Sequence, residues 1–337
     1  MTGSPPLIVG LGEALYDLLP AGPALGGAPL NAAVQSHQLG NNAVVASRIG
    51  GDTLGQALLD DLARRGMDTA FIQTDSDAPT GTVEITLRNG EPEYEIIGDT
   101  AWDRLAWDES LAGLAKRCDA VWFGTLGQRL ELARSTIQQF AAAASLAVRL
   151  FDVNLRQDYF SAELLEDGCR AASIVKMNEA ELATVAPLLG LGQTAEIRQL
   201  IEHFDLDLFV LTRGKLGTEL HSADSVVLGQ AAQFTPEPDA DSVGAGDACS
   251  AAILHGAVRR WPLQQTADLA NRLGAFVASR KGATPERDDK LLPVDRLRAL
   301  DLQADLAFGS LTLDKLPIEN AQLKAVGQGG LLTLQAH

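Results

Sequence analysis

Apolar residues along the chain follow two rhythms. Short apolar runs of strand length alternate with longer stretches in which apolar positions return every three or four residues. The runs at Leu7 to Gly10, Ala43 to Ser47, Ala120 to Gly124, Val148 to Val153, Ser173 to Met177 and Leu208 to Thr212 predict strands. Helical spacing predicts helices over Ala28 to Leu39, Leu54 to Arg65, Glu131 to Ser145, Ala162 to Ala171, Glu179 to Val185, Gly246 to Arg260 and Leu263 to Arg280. Pro29 suits a first helical turn, and Gly40 and Gly66 suit helix stops. Such alternation argues for an α/β protein with a mostly parallel sheet covered on both faces.

One region breaks the rhythm. Val83, Ile85 and Leu87 alternate with Glu84, Thr86 and Arg88, and Asn89-Gly90 follows as a hairpin turn signal. Glu93 to Ile97 reads as the return strand. This hairpin is either an edge of the main sheet or a small lid over a site, and periodicity leaves both open. Beyond Leu302 the patterning weakens, and Gly327-Gln328-Gly329-Gly330 is flexible in composition. Residues 302–337 therefore read as a C-terminal extension of unassigned role.

Composition narrows the class. The chain has 337 residues, 46% hydrophobic and 21% charged, ordinary for a globular protein with a sizeable core. Lys and Arg number 27 against 44 Asp and Glu, a net charge of −17. That argues against a nucleic-acid partner, which calls for a basic surface. Cys118, Cys169 and Cys249 are scattered and form no C-x-x-C, so neither a disulfide framework nor a cysteine zinc site is expected. The N-terminus has no basic, apolar leader, and no run approaches the length of a membrane span. A cytoplasmic protein is expected, with no membrane partner.

The most informative segment is Asp241-Ser242-Val243-Gly244-Ala245-Gly246-Asp247, followed by a small-residue helix. Small residues let backbone N–H groups approach an anion at a helix N-terminus. A carboxylate beside such a cradle suits phosphoryl transfer, with Asp247 accepting a proton; taken alone, Asp247 is equally a capping acid. No G-x-x-x-x-G-K-[ST] loop is present, and Leu15 stands where a dinucleotide fingerprint needs its third glycine. Near the N-terminus, Gly12-Glu13 with Asp17, Gly26-Gly27 with Asn31, and Gly50-Gly51-Asp52 follow predicted strands or open helices, as ligand-binding or as turn and cap residues. Asp152-Val153-Asn154-Leu155-Arg156 closes one strand and Asn178-Glu179-Ala180-Glu181 follows another. Arg156, Lys176 or Arg213 are candidates for the positive charge that phosphates need.

Taken in order, these motifs resemble the ribokinase-like, PfkB-type carbohydrate kinase family over roughly residues 7–290. Asp241 to Ala248 is close to the D-T-x-G-A-G-D signature, with Ser242 in place of Thr. Gly26 to Ala33, Arg48 to Gly55, Asn178 with Glu181, and Thr212-Arg213-Gly214 with Gly217 match further family motifs. Gly12-Glu13-Ala14-Leu15, Pro79-Thr80-Gly81-Thr82 and Gly124-Thr125-Leu126 with Gln128-Arg129 look most like the bacterial fructokinase branch.

The resemblance implies a three-layer α/β/α kinase domain over residues 1–301, with small β-lid strands inserted within about 12–25 and 70–104. It implies ATP-dependent phosphorylation of a sugar hydroxyl, with Asp247 as base and Gly244, Ala245 and Gly246 as the anion hole. Asp17, Gly26, Gly27, Asn31 and Arg156 would hold the sugar. Asn178, Thr212, Gly214, Gly217 and Asn271 would hold the nucleotide. Glu181 would order Mg2+ through water, and Asp241 is a candidate for a monovalent cation such as K+. The lid suggests a homodimer. Fructose is the expected sugar. Alternatives are 2-keto-3-deoxygluconate or another sugar, with Arg129 or Arg156 as the cation for an acidic substrate. A nucleoside kinase, with Trp102 and Phe123 as candidate stacking faces, and then a non-catalytic sugar sensor follow. The N-terminus of the last signature helix is expected to keep Asp247 ionised.

Overall fold

A computed structural model describes residues 4–19, 22–88, 91–191, 197–287, 303–313, 316–328 and 331–336. Asn89-Gly90 of the expected hairpin turn and Gly329-Gly330 lie outside the described residues. The chain divides into two compact units, residues 1–285 and 286–337.

The first unit opens with β1 (Leu7–Leu11), β2 (Leu15–Leu19), β3 (Gly22–Gly26), α1 (Ala28–Gln38), β4 (Asn42–Gly50), α2 (Thr53–Arg64) and β5 (Ile72–Asp75). Next come β6 (Gly81–Arg88), β7 (Glu91–Ile96), α3 (Glu109–Arg117), β8 (Ala120–Gly124), α4 (Glu131–Ala143) and β9 (Val148–Asp152). It continues with α5 (Ala162–Ala171), β10 (Ile174–Asn178), α6 (Glu179–Leu188), α7 (Ile197–Phe204) and β11 (Leu208–Thr212). It finishes with β12 (Thr218–His221), β13 (Val226–Leu228), α8 (Ala245–Val258) and α9 (Leu263–Val277).

Nine strands form the main sheet in the order β13-β12-β11-β10-β9-β8-β1-β4-β5. The run from β11 to β5 is parallel, and β12 and β13 add antiparallel at one edge. Strands buried on both faces read as continuous apolar runs, as Ala120–Gly124 does with every residue buried. Alternate residues serve opposite layers. Val9, Val121, Phe151, Val175 and Phe209 meet Leu111, Phe140, Leu164 and Leu200 of α3, α4, α5 and α7. Ala43 and Val45 meet Leu30, Val34, Leu58 and Leu62 of α1 and α2. Asp247 to Gly256 of α8 are buried without interruption, so that helix runs inside the domain.

A separate four-stranded sheet, β3-β2-β6-β7, carries the expected hairpin, which is thus a lid and not an edge of the main sheet. Asp17 of β2 lies opposite Ala24 and Val83. Leu15, Val83 and Ile96 pack on Trp102 and Leu126, whereas Tyr16 joins the core under α1 and α2. The Gly50-Gly51-Asp52 motif anchors the root of this lid. Asp52 Oδ1 accepts from the Gly55 amide at 2.8 Å and from Thr80 Oγ1 at 2.7 Å, and Oδ2 accepts from the Thr80 amide at 2.8 Å. One carboxylate therefore caps α2 and ties down the residue that precedes β6.

The second unit holds an antiparallel sheet of β14 (Gln303–Leu313), β15 (Leu316–Gln328) and β16 (Leu331–Ala336), with Asp305 opposite Lys324 and Lys324 opposite Gln335. The segment expected to be weakly patterned is thus three strands. No helix among the described residues is long and apolar enough to cross a membrane.

Candidate active site

The parallel strands deliver their chemistry to one edge. β1 ends just before Gly12-Glu13, β9 ends at Asp152, β10 at Asn178 and β11 at Thr212. The crevice beyond the carboxyl ends of parallel strands is the usual ligand site of open α/β sheets.

Asp247 lies in the first turn of α8, with Gly244 as N-cap. Gly244 has φ 75°, and a Cβ there would stand 2.5 Å from Ala283, so only glycine closes this turn. Two residues on, a Cβ at Gly246 would meet nothing within 4 Å except Lys176 Nζ at 3.5 Å. The helix N-terminus thus opens onto a cradle with an ammonium group beside it, a fit for a phosphate group. Asn31 Nδ2 of α1 donates to Asp247 Oδ2 at 2.9 Å, joining residues 216 positions apart. Asn31 Oδ1 is buried and has no partner among the described residues.

Burial is the largest influence on Asp247, and Asp152 adds to it; Asn31, Lys176 and Arg156 oppose them. The net result lifts its carboxyl to about 6. The helix N-terminus is expected to keep this group ionised; desolvation works against that and narrows the pH range over which it holds. Above pH 7 Asp247 is still ionised in the main, with a basicity suited to accepting a proton.

Beneath the cradle, Lys176 Nζ donates to Asp152 Oδ2 at 2.7 Å, and Ser250 Oγ donates to the same oxygen at 2.8 Å. Burial works to lower Lys176, but Asp152, with Cys249 and Glu181, carries the ammonium up to about 12. It stays charged under the site. Cys249 is buried, with its sulfur 3.7 Å from Thr218 Oγ1. All three cysteines are free and buried.

At the lid end, Asp17 and Leu15 share one face of β2, toward Trp102 and Leu126. A Cβ on Gly26 would lie 2.8 Å from Asp17 Oδ2, so the carboxylate rests against that backbone. Gly27, the N-cap of α1, has φ 99°, and a Cβ there would fall 2.5 Å from the Glu13 carbonyl. Burial raises Asp17, and Arg156 opposes the rise. Arg156 is exposed, in a loop where Asn154 and Gln157 both adopt left-handed φ angles of 39° and 46°. Its charge also reaches Glu13 and Asp247.

At the other end, Asn178 Oδ1 accepts from the Glu181 amide at 2.9 Å, and Glu181 Oε2 accepts from the Asn178 amide at 2.8 Å. This capping box opens α6. Glu181 Oε1 accepts from the Leu155 amide at 3.1 Å, so both carboxylate oxygens are engaged. No group of three or more metal-ligating side chains occurs among the described residues. A hard cation that keeps its waters and leans on nucleotide phosphates fits this donor set; an all-protein cage does not. Thr212, Gly214 and Gly217 line the turn after β11, and Thr212 Oγ1 points back to the Met177 carbonyl at 3.5 Å. Asn271 of α9 reaches this turn, but its Nδ2 donates to the Gln230 carbonyl at 3.1 Å. Asp241 accepts from the amides of Val243 and Gly282 at 3.0 and 3.1 Å, tying the signature loop to the segment after α9.

Several charges and rings considered from the sequence are committed elsewhere. Arg213 pairs with Glu179 at 2.9 Å and Glu219 at 2.6 Å. Arg129 is buried, with both Nε and Nη2 at 2.7 Å from Asp103 and its guanidinium over Trp102 at 4.0 Å and Tyr159 at 5.0 Å. It lies in the floor under the lid, and its Nη1 is buried with no partner among the described residues. Trp102 and Phe123 are each 1% exposed, Phe123 stacked on Phe151 at 5.3 Å, so neither offers a face to a nucleoside base. Conversely, Ser250 joins Asp152 and Lys176 beneath the cradle, although the motifs gave it no role.

Fold and site together define a phosphotransferase that acts on a hydroxyl group of a sugar. The pfkB family carbohydrate kinase profile matches residues 23–290. A fructokinase of Salmonella typhimurium is 29% identical over 299 residues, covering 81% of this chain and 93% of its own. A solved structure of an uncharacterized sugar kinase from Pyrococcus horikoshii superposes with a TM-score of 0.73 at 27% identity, covering 85% of this chain and 97% of that one. A Xylella fastidiosa fructokinase with bound ATP superposes with a TM-score of 0.74 at 22% identity, covering 86% and 99%. The chain belongs to the pfkB family of carbohydrate kinases. Membership brings ATP as phosphoryl donor and a divalent metal ion.

Proposed function

We propose that this enzyme transfers the γ-phosphate of ATP to a hydroxyl of fructose. The observation that carries the sugar assignment is the charge at the lid end. Asp17, Glu13 and Asp247 stand there with Arg156 as the cation whose charge reaches all three. Such a field favours a neutral polyol over a sugar acid. The fructokinases among the relatives support the same choice.

In this reading Asp17, Asn31 and the backbone of Gly26 and Gly27 hold the sugar, with Arg156 above them. Asp247 accepts the hydroxyl proton while the sugar oxygen bonds to phosphorus and the bond from phosphorus to the ADP oxygen breaks. Asn31 aims Asp247 through its amide. The amides of Gly244, Ala245 and Gly246 stabilise the charge on the transferring group, with Lys176 close by. The lid sheet excludes water, which would otherwise take the phosphate. Asn178, Thr212, Gly214, Gly217 and Asn271 shape the nucleotide end. Glu181, through water, would hold Mg2+, which offsets phosphate charge. Asp241 fixes the loop beside which a monovalent cation such as K+ would act.

Two lids pairing in a homodimer would hide the open edges at β3 and β7. Sedimentation showing only monomer at micromolar concentration would rule that out. A cytoplasmic location suits the three free, buried cysteines.

The test is ADP release with Mg-ATP over fructose, glucose, ribose, tagatose, 2-keto-3-deoxygluconate and adenosine, each with and without K+. Selective turnover of fructose is expected. Selective turnover of the keto-deoxy acid would overturn the sugar assignment and leave the mechanism standing.

A further inference from the structure

We propose that Arg129 is a sugar-binding residue, whose Nη1 donates to a hydroxyl oxygen of the sugar other than the one that is phosphorylated. The inference rests on the kinase reading above and deepens it.

Arg129 closes the short turn after β8, and its side chain is 3% exposed. A guanidinium carries five N–H bonds. Nε donates to Asp103 Oδ1 and Nη2 to Asp103 Oδ2, each at 2.7 Å, and Nη2 also donates to the Ile97 carbonyl at 2.7 Å. Those three bonds leave the two N–H bonds of Nη1, which is buried and has no partner among the described residues. A buried donor left unpaired is costly, above all on a charged group. The acid that orients Arg129 is itself fixed. Asp103 Oδ2 also accepts from the Thr100 amide at 3.0 Å and from Thr100 Oγ1 at 3.2 Å. The guanidinium is thus held in one pose with two donors unused, as a preorganised binding group is.

Its surroundings place those donors beside the sugar. The guanidinium lies over the Trp102 ring at 4.0 Å and the Tyr159 ring at 5.0 Å. Trp102 packs with Leu15, Val83 and Ile96 of the lid, and Tyr159 packs on the same cluster. Asp17 shares the Leu15 face of β2. The Tyr159 amide donates to the Arg156 carbonyl at 3.1 Å, so that ring and Arg156 belong to one turn. Arg129 is therefore bracketed by the lid strand that carries Asp17 and the loop that carries Arg156, the two charged groups assigned to the sugar. None of its hydrogen-bond or ring partners lies on α1 or α8, where Asn31 and Asp247 stand. The oxygen it takes is accordingly not the one that Asp247 deprotonates.

The fully buried Asp103 cancels the charge of Arg129, so the pair adds donors to the pocket without adding net charge. That suits the hydroxyl oxygen of a neutral polyol. A sugar without a hydroxyl at that place leaves Nη1 unpaired, so the residue discriminates between sugars by where their hydroxyls stand.

The test uses the full chain. Arg129→Lys keeps a cation for Asp103 and loses the Nη1 donors. Arg129→Gln combined with Asp103→Asn replaces the ion pair by two amides, so that no charge is stranded even where Arg129→Lys folds poorly. Thermal melting checks that each variant is folded. KM and kcat are measured for fructose, or for whichever sugar of the panel is turned over, and for its monodeoxy analogues, each lacking one hydroxyl. Calorimetry gives the Kd of each sugar. In both variants KM for the full sugar rises about 10–100-fold, the worth of a hydrogen bond from a charged donor. Turnover falls far less, as for an interaction made equally in the ground and transition states. One monodeoxy analogue binds weakly to the parent and loses nothing further in the variants, because the bond it lacks is the bond they remove. An unchanged KM in the variants, or one raised by the same factor for every analogue, overturns the proposal and leaves the kinase reading intact, since Arg129 would then only hold the floor together. A parent that neither binds nor turns over any sugar of the panel sinks the kinase reading, and this proposal with it.

Discussion

Asp247→Asn should make the protein more stable as it removes the activity. The carboxyl is 8% exposed and lifted from 3.8 to about 6, chiefly by burial. A carboxyl that binds its proton more tightly when folded lowers stability as pH rises through the interval between the two values. The full cost is present above pH 7 and amounts to about 3 kcal/mol, at about 1.4 kcal/mol per pH unit. At pH 5 it falls to about 1.5 kcal/mol, because the folded carboxyl is by then mostly protonated. Asparagine removes the charge and keeps an oxygen for the Asn31 amide, so the bond at 2.9 Å survives. For a unit of 285 residues the entropy of unfolding is about 0.6 kcal/mol/K. The variant should therefore melt about 5 °C higher than the parent at pH 8 and about half that at pH 5. Turnover should fall by about 10²–10⁴-fold, the usual worth of a general base. Scanning calorimetry at the two pH values, beside a kinase assay, measures both. Equal melting temperatures at pH 8, or turnover within tenfold of the parent, would refute the reasoning.

Arg129→Met strands Asp103 in the floor beneath the lid, where the pair is buried and bidentate. Losing one partner of such a pair costs about 3–5 kcal/mol, readable in urea unfolding, and an unchanged midpoint would show the pair to be idle. Asp52→Ala removes the cap of α2 and the anchor of Thr80 together. About 1–2 kcal/mol of stability should be lost, and KM for the sugar should rise more than kcat falls, since the lid root is freed. A variant with parental KM would show that the root needs no anchor.

Much of the architecture was legible because buried parallel strands announce themselves. Ala120–Gly124 and Leu208–Thr212 are apolar runs between amphipathic helices, and they are central strands. The lid was half legible. Strand β6 alternates cleanly, but β2 is covered on both sides, Leu15 by Trp102 and Tyr16 by the core under α1, which erases the period of two. β12 and β13 are too short for a periodic signal, and α3 and α7 went unread. In the site, the signature around Asp247 could be read locally. Its contact with Asn31, across 216 positions, could not. Burial was equally invisible. It raised the carboxyl of Asp247 and joined Arg129 to Asp103 under the lid, while Arg213 pairs with Glu179 and Glu219 nearer the surface.

The central claim is that Asp247 takes the proton of a sugar hydroxyl as phosphate moves from ATP. It is tested most directly by incubating parent and Asp247→Ala with Mg-ATP and fructose, following sugar phosphate by phosphorus NMR and ATP binding by calorimetry. The account predicts fructose phosphate from the parent, almost none from the variant, and similar ATP affinity in both. Fructose phosphate formed by Asp247→Ala at the parental rate would contradict it.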